Sequence, residues 1–298
     1  MARNRDESTA SEKVWFLADA HLEPEWPASR ERSGSGRSGR DTSDAISREA
    51  PDARRRRDLL DLLSFLPERA SHLYLVGDIF DFWFEYRGGP TRGHSAVHEA
   101  LQKLSASGVS VHFLGGNHDY WAGEAMERMS GARVHRDPVD TTHCGRRLFI
   151  AHGDGLPPGD LRYKTLKALI RSGPAIAAFR LLPPSLGAAI GRWASGLSEV
   201  TEERIRRAMG AMKECLIQKL AEGPHDAVVV GHLHRPAHWT TPHGDAVVVG
   251  DWQHERAALR LDERGFRHYA WRDGDLQPLE LRESCRGPAD GPSESEPE

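Results

Sequence analysis

The sequence predicts an α/β chain folded as a layered α/β/β/α sandwich with a helical insertion. Two observations carry this. Short apolar runs alternate with segments of helical period, as expected when helices cover the faces of sheets. Five of the apolar runs also end on Asp, Asn or His, and buried strands hold such terminal side chains on a rigid frame.

In chain order, residues 14–18 (Val-Trp-Phe-Leu-Ala) deliver Asp19 and His21. Residues 54–66 place Leu59, Leu62, Leu63 and Leu66 at helical spacing, which predicts a helix. Residues 73–77 deliver Asp78. Residues 95–107 repeat the helical pattern with Val97, Ala100, Leu101 and Leu104. Residues 111–116 deliver Asn117, His118 and Asp119; residues 148–151 deliver His152; residues 227–231 deliver His232 and His234. Three later strands, at 246–249, 257–261 and 266–271, are expected to complete the second sheet.

The chain's 298 residues suffice for one large domain. That domain is expected over 13–275, with polar tails at 1–12 and 276–298. Residues 28–52 contain Ser33-Gly34-Ser35-Gly36, the composition of a flexible loop, directly after the first cluster. A net charge of −4 gives no pull toward nucleic acid, and none is expected as a partner. Cys144, Cys215 and Cys285 form no disulfide framework, which suits a reducing cytoplasm. Residues 1–12 lack the apolar core of a signal peptide, and no run approaches the ~18 apolar residues of a membrane span.

Residues 161–198 hold no Asp or Glu but carry Arg162, Lys164, Lys167, Arg171, Arg180 and Arg192 among Leu, Ile, Phe and Trp. Pro157-Pro158, Gly173-Pro174 and Pro183-Pro184 divide the stretch into short helices. It reads either as a helical hairpin with solvated basic residues or as a lid over an acyl chain, lying against anionic headgroups. The insertion as a whole is placed at about 157–213.

Singly, each cluster is unremarkable: an Asp-x-His at a strand end is mostly a capped turn. Together they supply two Asp, one Asn and four His, too many ligands for one ion. They suit two ions sharing a bridging carboxylate, the arrangement used on phosphate esters. Mixed O/N donors without thiolate fit Mn²⁺, Fe or Zn²⁺ alike.

Asp19-Ala20-His21, Gly77-Asp78, Gly115-Gly116-Asn117-His118-Asp119, His152-Gly153-Asp154 and Gly231-His232-Leu233-His234 resemble, in order, the motifs of the calcineurin-like metallophosphoesterase superfamily. Within it the chain is most similar to the UDP-2,3-diacylglucosamine pyrophosphatases of lipid A synthesis. That narrower match rests on residues 18–22 and 77–83, on His152-Gly153-Asp154, on residues 231–237 and on residues 248–252 (Val-Val-Gly-Asp-Trp). Two positions depart from it. The best-known form has Arg where His118 stands here, and its sugar-contacting Asn and Lys would fall near Glu199 and Glu202.

The resemblance implies that Asp19, His21, Asp78 and His234 bind one metal and Asp78, Asn117, His152 and His232 the other. It favours Mn²⁺. It implies His118 as the group acting on the leaving oxygen, with Asp119 orienting it, and Tyr163, Arg192 and Ser195 as substrate contacts. It favours the lid reading of residues 161–198. The activity implied is hydrolysis of the lipid-linked nucleotide UDP-2,3-diacylglucosamine to UMP and 2,3-diacylglucosamine 1-phosphate, by a cytoplasmic enzyme peripheral on the inner membrane and with no obligate protein partner. Two alternatives stay open: a soluble metallophosphodiesterase or nucleotide pyrophosphatase, and a non-catalytic metal-containing scaffold.

Overall fold

The computed structural model describes residues 12–25, 51–157, 161–183, 186 and 202–282. Its larger sheet has seven strands in the order β14-β13-β12-β1-β2-β5-β6. These are β1 (Val14–Leu17), β2 (His72–Val76), β5 (Ser110–Leu114), β6 (Arg133–His135), β12 (Ala257–Asp262), β13 (Gly265–Arg272) and β14 (Asp275–Pro278). The second sheet has the order β10-β11-β9-β8-β7, from β7 (Val139–His143), β8 (Arg146–Ala151), β9 (Ala227–Val230), β10 (Ala237–Thr241) and β11 (Gly244–Val248). A small hairpin, β3 (Glu85–Tyr86) with β4 (Gly89–Pro90), stands apart.

Strand alternation explains the layers. In β1, Val14 and Phe16 face the space between the sheets, where Tyr74, Val76, Leu148, Ile150, Ala227 and Val229 meet them. Trp15 and Leu17 face the other way, onto α1 (Pro51–Phe65) and α2 (Ser95–Ala106) through Leu59, Leu62, Leu63, Val97, Leu101 and Leu104. Likewise Phe149, Val228 and Val230 point outward onto α6 (Glu202–Glu222), which buries Met209, Met212, Leu216 and Leu220. A strand covered on both faces needs apolar residues at every position, which is why these runs lack polar alternation.

The three late strands are divided between the sheets. Only β11 enters the second sheet; β12 pairs antiparallel with β1 and carries β13 and β14 into the first. Apolar runs state that strands are buried but not which neighbour they pair with. Glu12 is bonded to His143 and Cys144, helix α1 already includes Pro51 and Asp52, and β14 runs to Pro278, so the fold reaches slightly into all three stretches expected to be soft.

The insertion begins as expected. Helix α4 (Leu161–Ile170) is followed by α5 (Gly173–Phe179), where Ser172 accepts from the Ala175 amide and Pro174 sits in the first turn. A Ser cap with an early Pro favours a helix start. Helix α6 runs through residue 213 without a break and belongs to the core packing. Among the described residues the remaining helix, α3 (Glu124–Ser130), ends on Gly131 in the left-handed conformation, its amide bonded to the Glu127 carbonyl. No helix among the described residues is long and apolar enough to cross a membrane.

Candidate metal centre

The clusters follow the carboxyl ends of β1, β2, β5, β8 and β9, and β1∥β2∥β5 and β8∥β9 bring those ends to one place. Backbone bonds lace the loops together: Asp19 donates to the Gly77 carbonyl at 3.1 Å, His21 to that of Asp78 at 2.9 Å, and Gly231 to that of His152 at 2.9 Å. Among the nine described non-glycine residues with positive φ are Asp19, His21, Asp78, His232 and His234. Each such conformation costs on the order of 1–3 kcal/mol, and the cost persists only where surrounding structure imposes it. Two glycines permit the close approach. A Cβ on Gly116 would lie 2.1 Å from Asp78 Oδ1, and one on Gly77 (φ +85°) would lie 2.4 Å from His152 Nδ1.

All seven expected ligand residues converge. His21 Nε2 and His234 Nε2 are 3.3 Å apart. His152 Nε2 lies 3.2 Å from Asn117 Oδ1 and 3.3 Å from Asp78 Oδ2. Asp78 Oδ2 is also 3.9 Å from His21 Nε2, so this one oxygen faces a ring from each of the two expected ligand sets. Donor atoms of Asp78, His152 and His232 form one compact group, and those of Asp19, His21 and His234 another.

These side chains fit a cation by their own chemistry. Asp19 is fully buried; its Oδ2 accepts from the His232 amide at 2.8 Å, but its Oδ1 has no hydrogen-bond partner. The imidazole nitrogens facing Oδ1 stand at 3.6 Å (His234) and 4.0 Å (His21), beyond hydrogen bonding. A buried carboxylate oxygen left so is costly unless positive charge sits beside it. His152 Nδ1 donates to the Val76 carbonyl at 2.9 Å, which aims Nε2 at Asn117 and Asp78. Burial alone would lower His152, but Asp78 and Asp19 push it up to about 10; the site calls for positive charge there, which a divalent ion meets as well as a proton. Burial holds His21 at about 3 and His232 at about 4, and neutral imidazole is the ligating form.

His118 lies beside this group, its ring edge-on to His21 with centroids 4.7 Å apart. Its amide donates to Asp78 Oδ1 at 2.8 Å, and its Nδ1 donates to the Asp81 carbonyl at 2.7 Å, with the Asp81 carboxylate at 3.8 Å. The orientation expected of Asp119 therefore falls to Asp81. Asp119 is fully buried and accepts from the amides of Gly116, Asp78, Ile79 and Phe80 at 2.8–3.3 Å. It ties the Asn117 loop to the Asp78 loop. Tyr163 falls in α4 with its side chain outside the described residues, where Arg192 and Ser195 also lie.

Several contributors were not among the expected site residues. Asp251, fully buried, accepts from the amides of His254 and Glu255 and from the His254 ring at 2.5 Å, and it faces His234 Nδ1 at 3.6 Å. Residues 248–252 were already part of the family resemblance, but the position of Asp251 behind His234 is a tertiary fact. Asp154 receives Lys167 at 2.6 Å and Arg171 at 3.0 Å, and Arg171 also donates to the Gly116 carbonyl at 2.9 Å while lying over the Tyr120 ring. Two basic residues of the insertion thus clasp two loops of the centre.

Residues 12–236 match the family model for the calcineurin-like phosphoesterases. The chain belongs to that family. Calcineurin-like phosphoesterases use dimetal centres, and the paired Asp/His groups described above have the composition for one. A UDP-2,3-diacylglucosamine hydrolase of Stenotrophomonas maltophilia K279a is 32% identical over 227 residues, 71% of this chain and 91% of that protein. One from Pseudomonas fluorescens Pf0-1 is 30% identical over 74% of this chain and 90% of its own length. One from Xanthomonas campestris pv. campestris ATCC 33913 is 28% identical over 84% and 96%. The chain is a hydrolase of the metallophosphoesterase type.

Proposed function

We propose that this calcineurin-like phosphoesterase hydrolyses the pyrophosphate bond of UDP-2,3-diacylglucosamine, releasing UMP and 2,3-diacylglucosamine 1-phosphate. The observation that carries the substrate is the similarity, over about nine-tenths of their length, to relatives named for hydrolysis of that compound. In this reading Asp19, His21, Asp78 and His234 hold one divalent ion and Asp78, Asn117, His152 and His232 the other, with Mn²⁺ the favoured metal. Bound there, such ions supply Lewis acidity that activates water and draws charge from the phosphoryl oxygens.

The chain's own residues do the rest. His118 has Nδ1 committed to Asp81, so a proton given to the leaving oxygen travels from Nε2. Asp119 keeps the two loops in register, and Asp251 backs His234. Arg171 and Lys167 hold the insertion against the centre, which keeps a bound lipid close to the reacting phosphate.

A cleft of about 910 Å³ between the β3–β4 hairpin, residues 120–122, the start of α3 and α5 supports a lipid-bearing anion as substrate. Its walls combine Phe84, Tyr86, Trp121 and Ile176 with Arg87 and Arg180. We place the protein at the inner face of the membrane. Four of the five large apolar side chains exposed among the described residues, Leu169, Ile170, Leu181 and Leu186, belong to the insertion, where a lipid surface would cover them.

The test compares kcat/KM for UDP-2,3-diacylglucosamine and for UDP-glucosamine without acyl chains, in Mn²⁺. The acylated compound is expected to be cleaved far faster, since each buried CH₂ is worth about 0.8 kcal/mol. Equal rates would leave a soluble phosphodiesterase.

A further inference from the structure

A second set of ligating side chains lies at the other end of the strands. Glu12 precedes β1, His72 opens β2, and His143 closes β7, where it pairs with Arg146 at the start of β8. The catalytic loops follow the far ends of β1, β2 and β8. His72 belongs to the first sheet, Glu12 leads into its strand β1, and His143 belongs to the second, so the group spans the seam between them.

The geometry has the parts of a metal site. Glu12 Oε1 is 2.6 Å from His143 Nδ1 and 3.6 Å from His72 Nε2, and one ligand atom from each of the three residues lies within 4.8 Å of the other two. The other carboxylate oxygen, Oε2, accepts from the Cys144 amide at 2.6 Å, which turns Oε1 toward the two rings. His143 Nε2 is hydrogen-bonded to the buried Tyr74 hydroxyl at 2.8 Å, which presents Nδ1 inward. This is the outer-shell support that orients metal-binding imidazoles. His72 Nδ1 is buried without a hydrogen-bond partner, so nothing on that side competes for the ring's orientation. The His72 and His143 rings stand 4.4 Å apart at 55°, as two ligands approaching one point from different directions.

We propose that Glu12, His72 and His143 bind one divalent transition-metal ion of the zinc type, which staples the first sheet to the second. Two imidazoles and a carboxylate are a zinc ligand set, with bonds of about 2.0–2.2 Å. Bonds of that length around a tetrahedral ion set the ligand atoms about 3.3–3.6 Å apart, so the Glu12–His72 spacing of 3.6 Å already suits them and the Glu12–His143 pair opens by about 0.7–1 Å. Glu12 retains 35% side-chain exposure, which admits the ion and a water as fourth ligand.

The test uses full-length protein stripped by chelator, with Zn²⁺ alone as probe. Bound zinc is counted by native mass spectrometry for the parent and for Glu12→Gln and His72→Phe. Each variant is expected to bind one ion fewer than the parent, to lose part of the rise in Tm that zinc gives the parent, and to keep the parent's Mn²⁺-supported hydrolysis of a small phosphodiester. Equal zinc counts in parent and variants overturn the proposal. The comparison is a difference, so it reads the same whatever the catalytic centre binds. If His72→Phe fails to fold, Glu12→Gln at its part-exposed position carries the count. A zinc-edge anomalous map of parent crystals gives a second reading: a peak among the three side chains supports the site, and its absence at saturating zinc rejects it.

Discussion

His21 and His234 stand 213 positions apart in the chain, yet their Nε2 atoms are 3.3 Å from each other. Both residues have left-handed backbones, with φ of 44° and 54°. Two imidazole nitrogens held at that distance share a proton or repel unless a cation joins them, and backbone strain of this kind clusters at ligand-binding sites.

In the proposed dimetal centre Asp78 is the member shared by both ligand sets. Burial alone would raise its carboxyl, but His152, His118 and His21 outweigh this and hold it well below the usual carboxylate range. Asp78→Ala is expected to abolish turnover and to remove most bound metal, since it deletes the common anchor. Elemental analysis of parent and variant checks this, with about two ions expected per parent chain at the centre. Full activity of the parent with a single ion bound there contradicts a dimetal centre.

His118 is expected to act on chemistry and not on metal retention. His118→Ala should lower kcat by a factor on the order of 10²–10⁴ with metal content intact. Loss of metal together with activity would instead make it a ligand or a structural residue. Asp81→Ala should leave most of the activity, because the Asp81 contact at 2.7 Å runs through the backbone carbonyl.

Asp251 backs His234 from the side away from the centre. Asp251→Asn keeps the shape and removes the charge, and it is expected to weaken binding of one ion by roughly 10- to 100-fold while the other is unaffected. Calorimetric titration of the stripped protein with Mn²⁺ resolves the two steps. A uniform weakening of both ions would mean that the loop, and not the His234 contact, had changed.

Far from the centre, Asp245 ties β10 to β11 through His238 at 2.8 Å and Thr240 at 2.9 Å, and it meets Arg146 at 2.7 Å. Burial pushes its carboxyl up, but these partners outweigh burial and lower it to about 2. An unfolded Asp titrates near ~3.9, so the contribution is present above that pH and is lost as pH falls through about 2. Asp245→Asn should therefore cost roughly 2 kcal/mol at pH 6, with the difference from the parent vanishing toward pH 2. Urea unfolding of both proteins across that range measures it.

Buried parallel strands must be apolar throughout, and a polar residue directly after such a run is conspicuous. The runs before Asp19, Asp78, Asn117, His152 and His232 are therefore legible in one dimension, and with them the fold class and all seven convergent side chains. The sequence also marks the insertion, because Ser172, Gly173 and Pro174 punctuate it locally. What it does not carry is partnership at a distance. Strands β12 and β13 look no different from β11, yet β12 hydrogen-bonds to β1 and β13 to β12, which places both in the other sheet. Asp119 sits beside His118 in the chain but spends its oxygens on backbone amides, while Asp81 reaches the ring from another loop. Asp251 behind His234, Arg171 on the Gly116 carbonyl, and Glu12 between two imidazoles are likewise contacts between separate elements. Local chemistry and periodicity fix what a residue can do; packing of the two sheets decides whom it meets.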